Sequence, residues 1–398
     1  MVLKNSCNDI VIFLGAGFTH DLELPIMSNF GSESDRVYKG VNDKGNDKKD
    51  AAPIFRKAGD MFKKFQNYSS KVSKLMNINI NNMEDLFCLA DIIKGTSIDR
   101  NLTIPEVDNL EINKIITNIR LWLWKIFHQC PPMNSARPTA QKNEAVYKDF
   151  FRFIVEKHQK YKNIKIITTN YDLMPEYLLN ELKQRCTYRI SCDPGEWKVD
   201  LNSTDKFAYI NCNNCIPIYK LHGSVNYFFN DEKDQDNINI VTDILNVDKV
   251  RQSCAKVFKD KPSLFPWDAI IELKEKQNNN NIPIPAIIPP MYSKIESMGW
   301  LKCIWNNSLM AIRNAKIIVF IGYSFPQSDG FMKSFFQSAL IGRNNQEPPI
   351  IINLDKNKDI KCTYCEIFNN INNENFLTGT FSEKCSDLIN LMDNRIKA

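Results

Sequence analysis

His222 stands in Leu221-His222-Gly223-Ser224 and is one of only 4 histidines in the chain. An imidazole titrates near neutrality, and the glycine beside it leaves room for a ligand, so the position suits proton transfer. His20, His128 and His158 have no comparable setting and read as structural. Asn170 and Asp172 follow a β-rich run in Thr168-Thr169-Asn170-Tyr171-Asp172. Polar groups at a strand's carboxyl end are where open α/β sheets place their ligands, although a plain Asn-Tyr-Asp turn is the other reading. A third stretch, Gly15-Ala16-Gly17-Phe18-Thr19, sets two glycines at a sharp turn after an apolar run, with Thr19 able to cap or line the start of the next segment. Strand, glycine turn and helix start describe a dinucleotide site, in which a pyrophosphate rests on backbone N–H groups. No third glycine follows at the Rossmann spacing, and an ordinary strand-to-loop turn stays open here.

The segments that carry these residues are legible as buried strands. Ile10–Leu14 is continuously apolar, as in a parallel sheet covered on both faces. Ile164–Thr168, Ile216–Leu221 and Ala315–Ile321 read alike, and Ile350–Asp355 forms a fifth strand that ends in polar groups. Between the first two strands, apolar spacing predicts helices opening at Asn82, over 110–128 and over 145–161, with Asn82 as an N-cap. Gly31 to Ser73 is polar and rich in lysine and aspartate, and Lys39 to Lys74 reads as a solvated surface, with a nucleic-acid patch as the alternative. Further helices are expected over 300–314, 331–340 and 382–397. The domain organisation that results is discontinuous. Residues 1–30 and 161–398 form an α/β domain with a Rossmann-like parallel sheet, residues 231–285 being a loop-rich insertion in it, and 31–160 form an inserted helical subdomain.

Composition bounds the function classes. A chain of 398 residues exceeds the usual single-domain size. A net charge of +5 gives no footprint of dedicated nucleic-acid binding. No stretch has the length of a membrane span and no cleavable leader is visible, so a cytoplasmic protein is expected. Its 12 cysteines are then expected as reduced thiols. The pairs Cys212/Cys215 and Cys362/Cys365 have the spacing of half a zinc site, but neither faces a matching second pair, and plain thiols are the preferred reading.

In chain order, Gly15-Ala16-Gly17-Phe18-Thr19, Leu24-Pro25-Ile26, Thr168-Thr169-Asn170-Tyr171-Asp172, Lys220-Leu221-His222-Gly223-Ser224, Gly322-Tyr323-Ser324-Phe325 and Asn353 resemble the motifs of the sirtuin (SIR2) family. Two departures refine the resemblance. Only Cys254 and Cys303 lie between His222 and Gly322, so the four-cysteine zinc ribbon of the protein deacylases is absent, and so is their Phe-Gly-Glu stretch. The Leu221–Tyr227, Ile288-Pro289-Pro290 and Gly322–Pro326 stretches instead look like the SIR2-like NAD+ hydrolases of bacterial antiphage defence. That resemblance implies a sirtuin-like fold and cleavage of NAD+ to nicotinamide and ADP-ribose, with NAD+ as substrate and no metal. It implies Asn170, His222 and Asp172 as catalytic residues. Gly15, Ala16, Gly17, Thr19, Pro25, Ile26, Thr169, Gly322, Ser324 and Asn353 would bind the nucleotide. It further implies a homo-oligomer with a separately encoded partner, such as a HerA-type ATPase or an Argonaute-like protein, and abortive infection as the outcome. The alternatives are an NAD-dependent protein deacylase and a non-catalytic NAD or ADP-ribose sensor.

Overall fold

The computed structural model describes residues 9–24, 30–42, 53–76, 85–86, 89–90, 112–128, 138–161, 163–188, 215–229, 238–240, 284–288, 299–326, 329–341, 343, 347–354, 359–368 and 371–397. Its strands are β1 Asp9–Leu14, β2 Ile164–Thr168, β3 Cys186–Thr187, β4 Ile216–Lys220, β5 Gly223–Phe229, β6 Ile238–Ile240, β7 Ile284–Ile287, β8 Ala315–Ile321, β9 Ile350–Asn353 and β10 Phe376–Thr378. Its helices are α1 Phe30–Asn42, α2 Pro53–Met76, α3 Ile112–His128, α4 Pro138–Tyr161, α5 Met174–Glu181, α6 Gly299–Arg313, α7 Gly330–Leu340, α8 Asp359–Ile367 and α9 Phe381–Lys397. Two compact units result: Met1–Leu24 with Pro132–Gly223 and Tyr292–Ala398, and Pro25–Pro131 with Ser224–Met291.

The first unit holds a seven-stranded sheet in the order β10-β9-β8-β1-β2-β4-β3. Every pairing in it is parallel. Parallel neighbours need crossover connections, and helices supply them. Ile10 to Leu14 are all buried, which requires cover on both faces of the sheet. α6 packs on β1, β4 and β8 and against α7, while α4 packs on β2 and against α9, which lies on β8 and β9. This is an α/β sheet flanked by helices, as expected. Burying each large apolar side chain, such as Phe13, Ile12 or Phe320, contributes roughly 1.5–3 kcal/mol. The chain leaves β1 toward β2 on one side and returns through β8 on the other, so the strand order reverses between β1 and β8. Open α/β sheets bind ligands in the crevice at such a switch point, outside the carboxyl ends of the strands.

In the second unit α1, α2 and α3 pack together and a three-stranded sheet runs β6-β5-β7. Trp122 and Trp124 of α3 are fully buried; their indole N–H groups donate to Ser34 Oγ at 2.9 Å and to the Val225 carbonyl at 2.8 Å. The lysine-rich segment read as a solvated surface is largely helical here. Phe55, Ala58, Phe62 and Phe65 recur at helical spacing along α2 and are buried, with the charged residues on the other face. α4, predicted within the 31–160 insertion, belongs to the sheet unit, and 224–291 groups with 25–131. Of the helix predicted from Asn82, residues 85–86 and 89–90 are described; they are helical, with Leu86 and Ala90 buried as expected, while Asn82, Pro25, Ile26 and most of 231–285 lie outside the described residues. Cys186, Cys215, Cys362, Cys365 and Cys385 are free thiols, but Cys303 is disulfide-bonded, which corrects the expectation of thiols throughout.

Candidate active site at the sheet's carboxyl edge

Register brings the scattered motifs to one line. Leu14 lies opposite Thr168 and Ile321, Thr168 opposite Lys220, and Ile321 opposite Ile352. The next residue on each strand is therefore Gly15, Thr169, Leu221, Gly322 or Asn353, with Asn170 and His222 one position further. The ladder continues past the strand ends through Thr169 N–H to Leu14 at 3.3 Å, Leu221 N–H to Thr168 at 2.9 Å and Gly15 N–H to Ile321 at 2.9 Å. Parallel pairing, with residues adjacent in space but far apart in sequence, is what collects these groups.

The glycines serve a close approach of two loops. A Cβ on Gly15 would stand 2.6 Å from the Gly322 carbonyl oxygen, and one on Gly322 would stand 2.3 Å from backbone atoms of Gly17 and Phe18. Gly322 also has φ +65, the left-handed region. Gly15 N–H donates to Ile321 and Gly17 N–H to the Gly322 carbonyl at 2.8 Å, so both amides are used inside the protein. The turn continues as two short 3-10 turns, Ala16–Phe18 and His20–Leu22, rather than as an α-helix. Thr19 is buried and closes the first turn onto the Ala16 carbonyl through its hydroxyl and its N–H. The expected picture of glycine amides free to cradle phosphates is thus changed. What this edge presents to solvent is half-buried Ala16, Gly17, Thr169 and Gly322 and exposed Ser324.

Asn170 is held from two sides. Its backbone N–H donates to Thr168 Oγ1 and its Nδ2 to the Gly15 carbonyl, both at 3.0 Å. A carbonyl partner requires the amide nitrogen on that side, which fixes the side-chain orientation and aims Oδ1 the other way. Asp172 Oδ1 accepts from Met174 N–H at 2.9 Å at the entry to α5, a structural task the sequence did not assign it. Burial raises the Asp172 carboxyl, opposed by the charge of Lys220 and by the Met174 amide. Lys220 is fully buried, donates to the Asp172 carbonyl and stands 3.4 Å from Glu176, whose carboxyl burial also raises. This lysine ties β4 to the loop that carries Asn170 and Asp172.

His222 is 3% exposed, with its ring centre 6.4 Å from that of Tyr171 and 6.3 Å from that of Trp305. The Trp305 indole N–H donates to the Leu221 carbonyl at 3.0 Å and so fixes the turn that carries the histidine. His222 Nε2 lies 3.9 Å from Asp329 Oδ1. Burial pushes the Asp329 carboxyl up to about 7, against the lowering effect of the Tyr323 hydroxyl that donates to its Oδ2. Asn353 Nδ2 donates to the Tyr323 carbonyl at 2.6 Å, so this amide supports the loop after β8. The sequence reading gives Asp329, just beyond that loop, no role. The signal was its chemistry close to a strand end; its partner is 107 positions away by the numbering of His222 and Asp329.

The arrangement offers an imidazole, a neighbouring carboxyl of near-neutral affinity and an oriented amide at one sheet edge, the inventory of a site for proton transfer and for placing water or hydroxyl groups. No protein-family model matches the chain, and a search of curated proteins finds no match. Among the described residues no group of three or more His, Cys, Asp or Glu side chains could hold a metal, and no helix is long and apolar enough to cross a membrane.

Proposed function

We propose that this protein is an NAD+ glycohydrolase on a SIR2-like, sirtuin-type α/β scaffold. The observation that carries the reading is the convergence of Gly15, Asn170, His222, Gly322 and Asn353 at the carboxyl edge of one parallel sheet, beside its switch point. These positions carry the motif resemblance.

The bond broken joins C1′ of the ribose to the nicotinamide nitrogen. Its electron pair goes to that nitrogen, so nicotinamide leaves neutral and the sugar passes through an oxocarbenium-like state. A water oxygen then bonds to C1′ and gives up a proton, and the products are nicotinamide, ADP-ribose and one proton. Asn170 Oδ1 orients the water and the ribose. His222 takes the proton from the ribose hydroxyl or the water, a contribution of about 10²–10⁴-fold in rate. Asp172 keeps Oδ2 for the carboxamide. The phosphates and adenosine ribose lie along Ala16, Gly17, Gly322 and Ser324, with Thr19 and Asn353 supporting the two loops beneath them. The biological role we propose is the NAD-depleting effector of a cytoplasmic antiphage system, acting as a homo-oligomer with a separately encoded partner.

The test incubates the purified full-length chain with NAD+, alone and with its partner, with and without an acyl-lysine peptide, and follows nicotinamide and ADP-ribose. Equal release of both products, independent of peptide, is expected. Peptide-dependent nicotinamide release would make it a deacylase, and tight NAD+ binding with no turnover in the assembled state would make it a sensor.

A further inference from the structure

We propose that Asp329 is the positioning residue of His222: its carboxylate holds the Nε2 edge of the imidazole and stabilises the ring while His222 carries the proton of the hydrolysis. The inference rests on the reading of His222 as the base of NAD+ cleavage.

Asp329 occupies the N-cap of α7, where an aspartate ordinarily accepts amides of its own helix. It makes no such side-chain bond. Both oxygens are turned elsewhere, Oδ2 to the Tyr323 hydroxyl and Oδ1 toward His222 Nε2, and the residue is 3% exposed. The loop between β8 and α7 holds this geometry. Gly322 and Phe325 have φ +65 and φ 51. A bulky residue at positive φ persists only where its surroundings over-determine it, a pattern that clusters at functional sites. Here the Phe325 ring packs on Phe336 and Tyr364, and the Tyr323 carbonyl accepts from both Asn353 Nδ2 and the Tyr364 hydroxyl at 2.8 Å. The strained loop therefore delivers the Tyr323 hydroxyl to Asp329.

The titratable groups in contact range of Asp329 include His222 at the end of β4 and Tyr323 after β8. Asp329 and Tyr171 stand beside the His222 ring, and the Trp305 ring of α6 lies 6.3 Å from it. A separation of 3.9 Å is ion-pair range for a protonated ring and longer than a hydrogen bond. Such contacts are often long without substrate and tighten when it binds. The proton moves from the ribose hydroxyl or water to His222 and later to solvent. Asp329 need not take it; it selects the Nε2–H tautomer and offsets the charge of the imidazolium.

The test uses the full-length chain labelled with 15N in its histidine rings, with the His222 signals assigned by His222→Gln. Ring shifts report the tautomer, and kcat and KM for NAD+ are measured across pH. In Asp329→Asn the His222 ring should pass from the Nε2–H form to a mixture of tautomers. Its kcat should fall roughly 10²-fold or more at nearly unchanged KM. Tyr323→Phe, which frees one Asp329 oxygen and keeps the charge, should change the pH profile with a smaller loss of kcat, and it serves if the first variant does not fold. His222 ring signals identical to wild type in Asp329→Asn would overturn the inference, whether or not NAD+ is cleaved. A wild-type protein that never cleaves NAD+ would overturn the hydrolase reading, while the ring signals would still decide the pairing.

Discussion

At the scale of single residues, Asn170 and His222 should separate by what they do to binding and to chemistry. Under the proposed function His222→Ala removes the proton acceptor, so NAD+ cleavage should be lost while the fold and nucleotide binding remain. Asn170→Ala removes an amide whose Nδ2 braces the Gly15 carbonyl and whose Oδ1 the proposed function assigns to water and sugar. Positioning is expressed more in the transition state than in the ground state. Its cleavage rate should therefore drop on the order of 10²-fold, with NAD+ affinity changed only a few-fold. Titration calorimetry and single-turnover cleavage measure the two quantities separately. Equal losses of affinity and rate would make Asn170 a uniform binding contact.

At the scale of elements, two features hold the edge together. The first is the contact between the turns after β1 and β8. A Cβ at Gly322 meets the Gly17 and Phe18 backbone at 2.3 Å and sits at φ +65, where only a residue without Cβ is comfortable. Gly322→Ala should destabilise the protein by about 2–4 kcal/mol, left-handed strain alone accounting for about 1–2 of it. Urea unfolding measures this, and a loss below the error of the method would show that the loops can part freely. The second is the buried triad of Lys220, Glu176 and Asp172. Lys220→Met takes the cation from the buried Glu176 carboxyl and the donor from the Asp172 backbone carbonyl, at a cost of about 3 kcal/mol. Adding Glu176→Gln should recover much of that loss. If the double variant were as unstable as the single one, the lysine would matter for packing alone.

At the scale of the whole molecule, Asp329 makes stability depend on pH. Burial raises its carboxyl in the folded protein from 3.8 to about 7. Between these values the native state keeps a proton that the unfolded chain has released, so stability falls as pH rises. The contribution is fully present below about 3.8 and is lost as pH passes through about 7. Asp329→Asn carries no charge to bury. Its stability relative to wild type should improve between pH 4 and pH 8 by up to about 4 kcal/mol, read from urea unfolding at each pH. A pH-independent difference would mean that the carboxyl titrates normally. A residue that costs stability at neutral pH and forgoes its own helix cap fits a group kept for function.

The class of fold and the candidate residues are legible in the chain alone. Short unbroken runs of β-branched and other apolar residues such as Ile10–Leu14 and Ile317–Ile321 fit strands covered on both faces, and the groups that come after such strands lie at the carboxyl edge of the sheet. Local patterning carries that much because it needs only the period of the chain. It reads 31–160 as a helical subdomain but does not pick out α1 and α2 within it, where abundant lysine and aspartate hide an apolar stripe that packing selects. What each polar group faces is settled by tertiary packing instead. Gly15 and Gly322 stand 307 positions apart by their own numbers, and their need to be small arises only once β1 and β8 lie side by side. Asp172, a ligand group by its motif, has one oxygen committed to the start of α5, while Asp329, a helix cap by its position, turns away from its helix toward His222. Hydrogen bonds and ion pairs are short-ranged and directional. Their partners are chosen by strand order and register, which no single stretch of sequence contains.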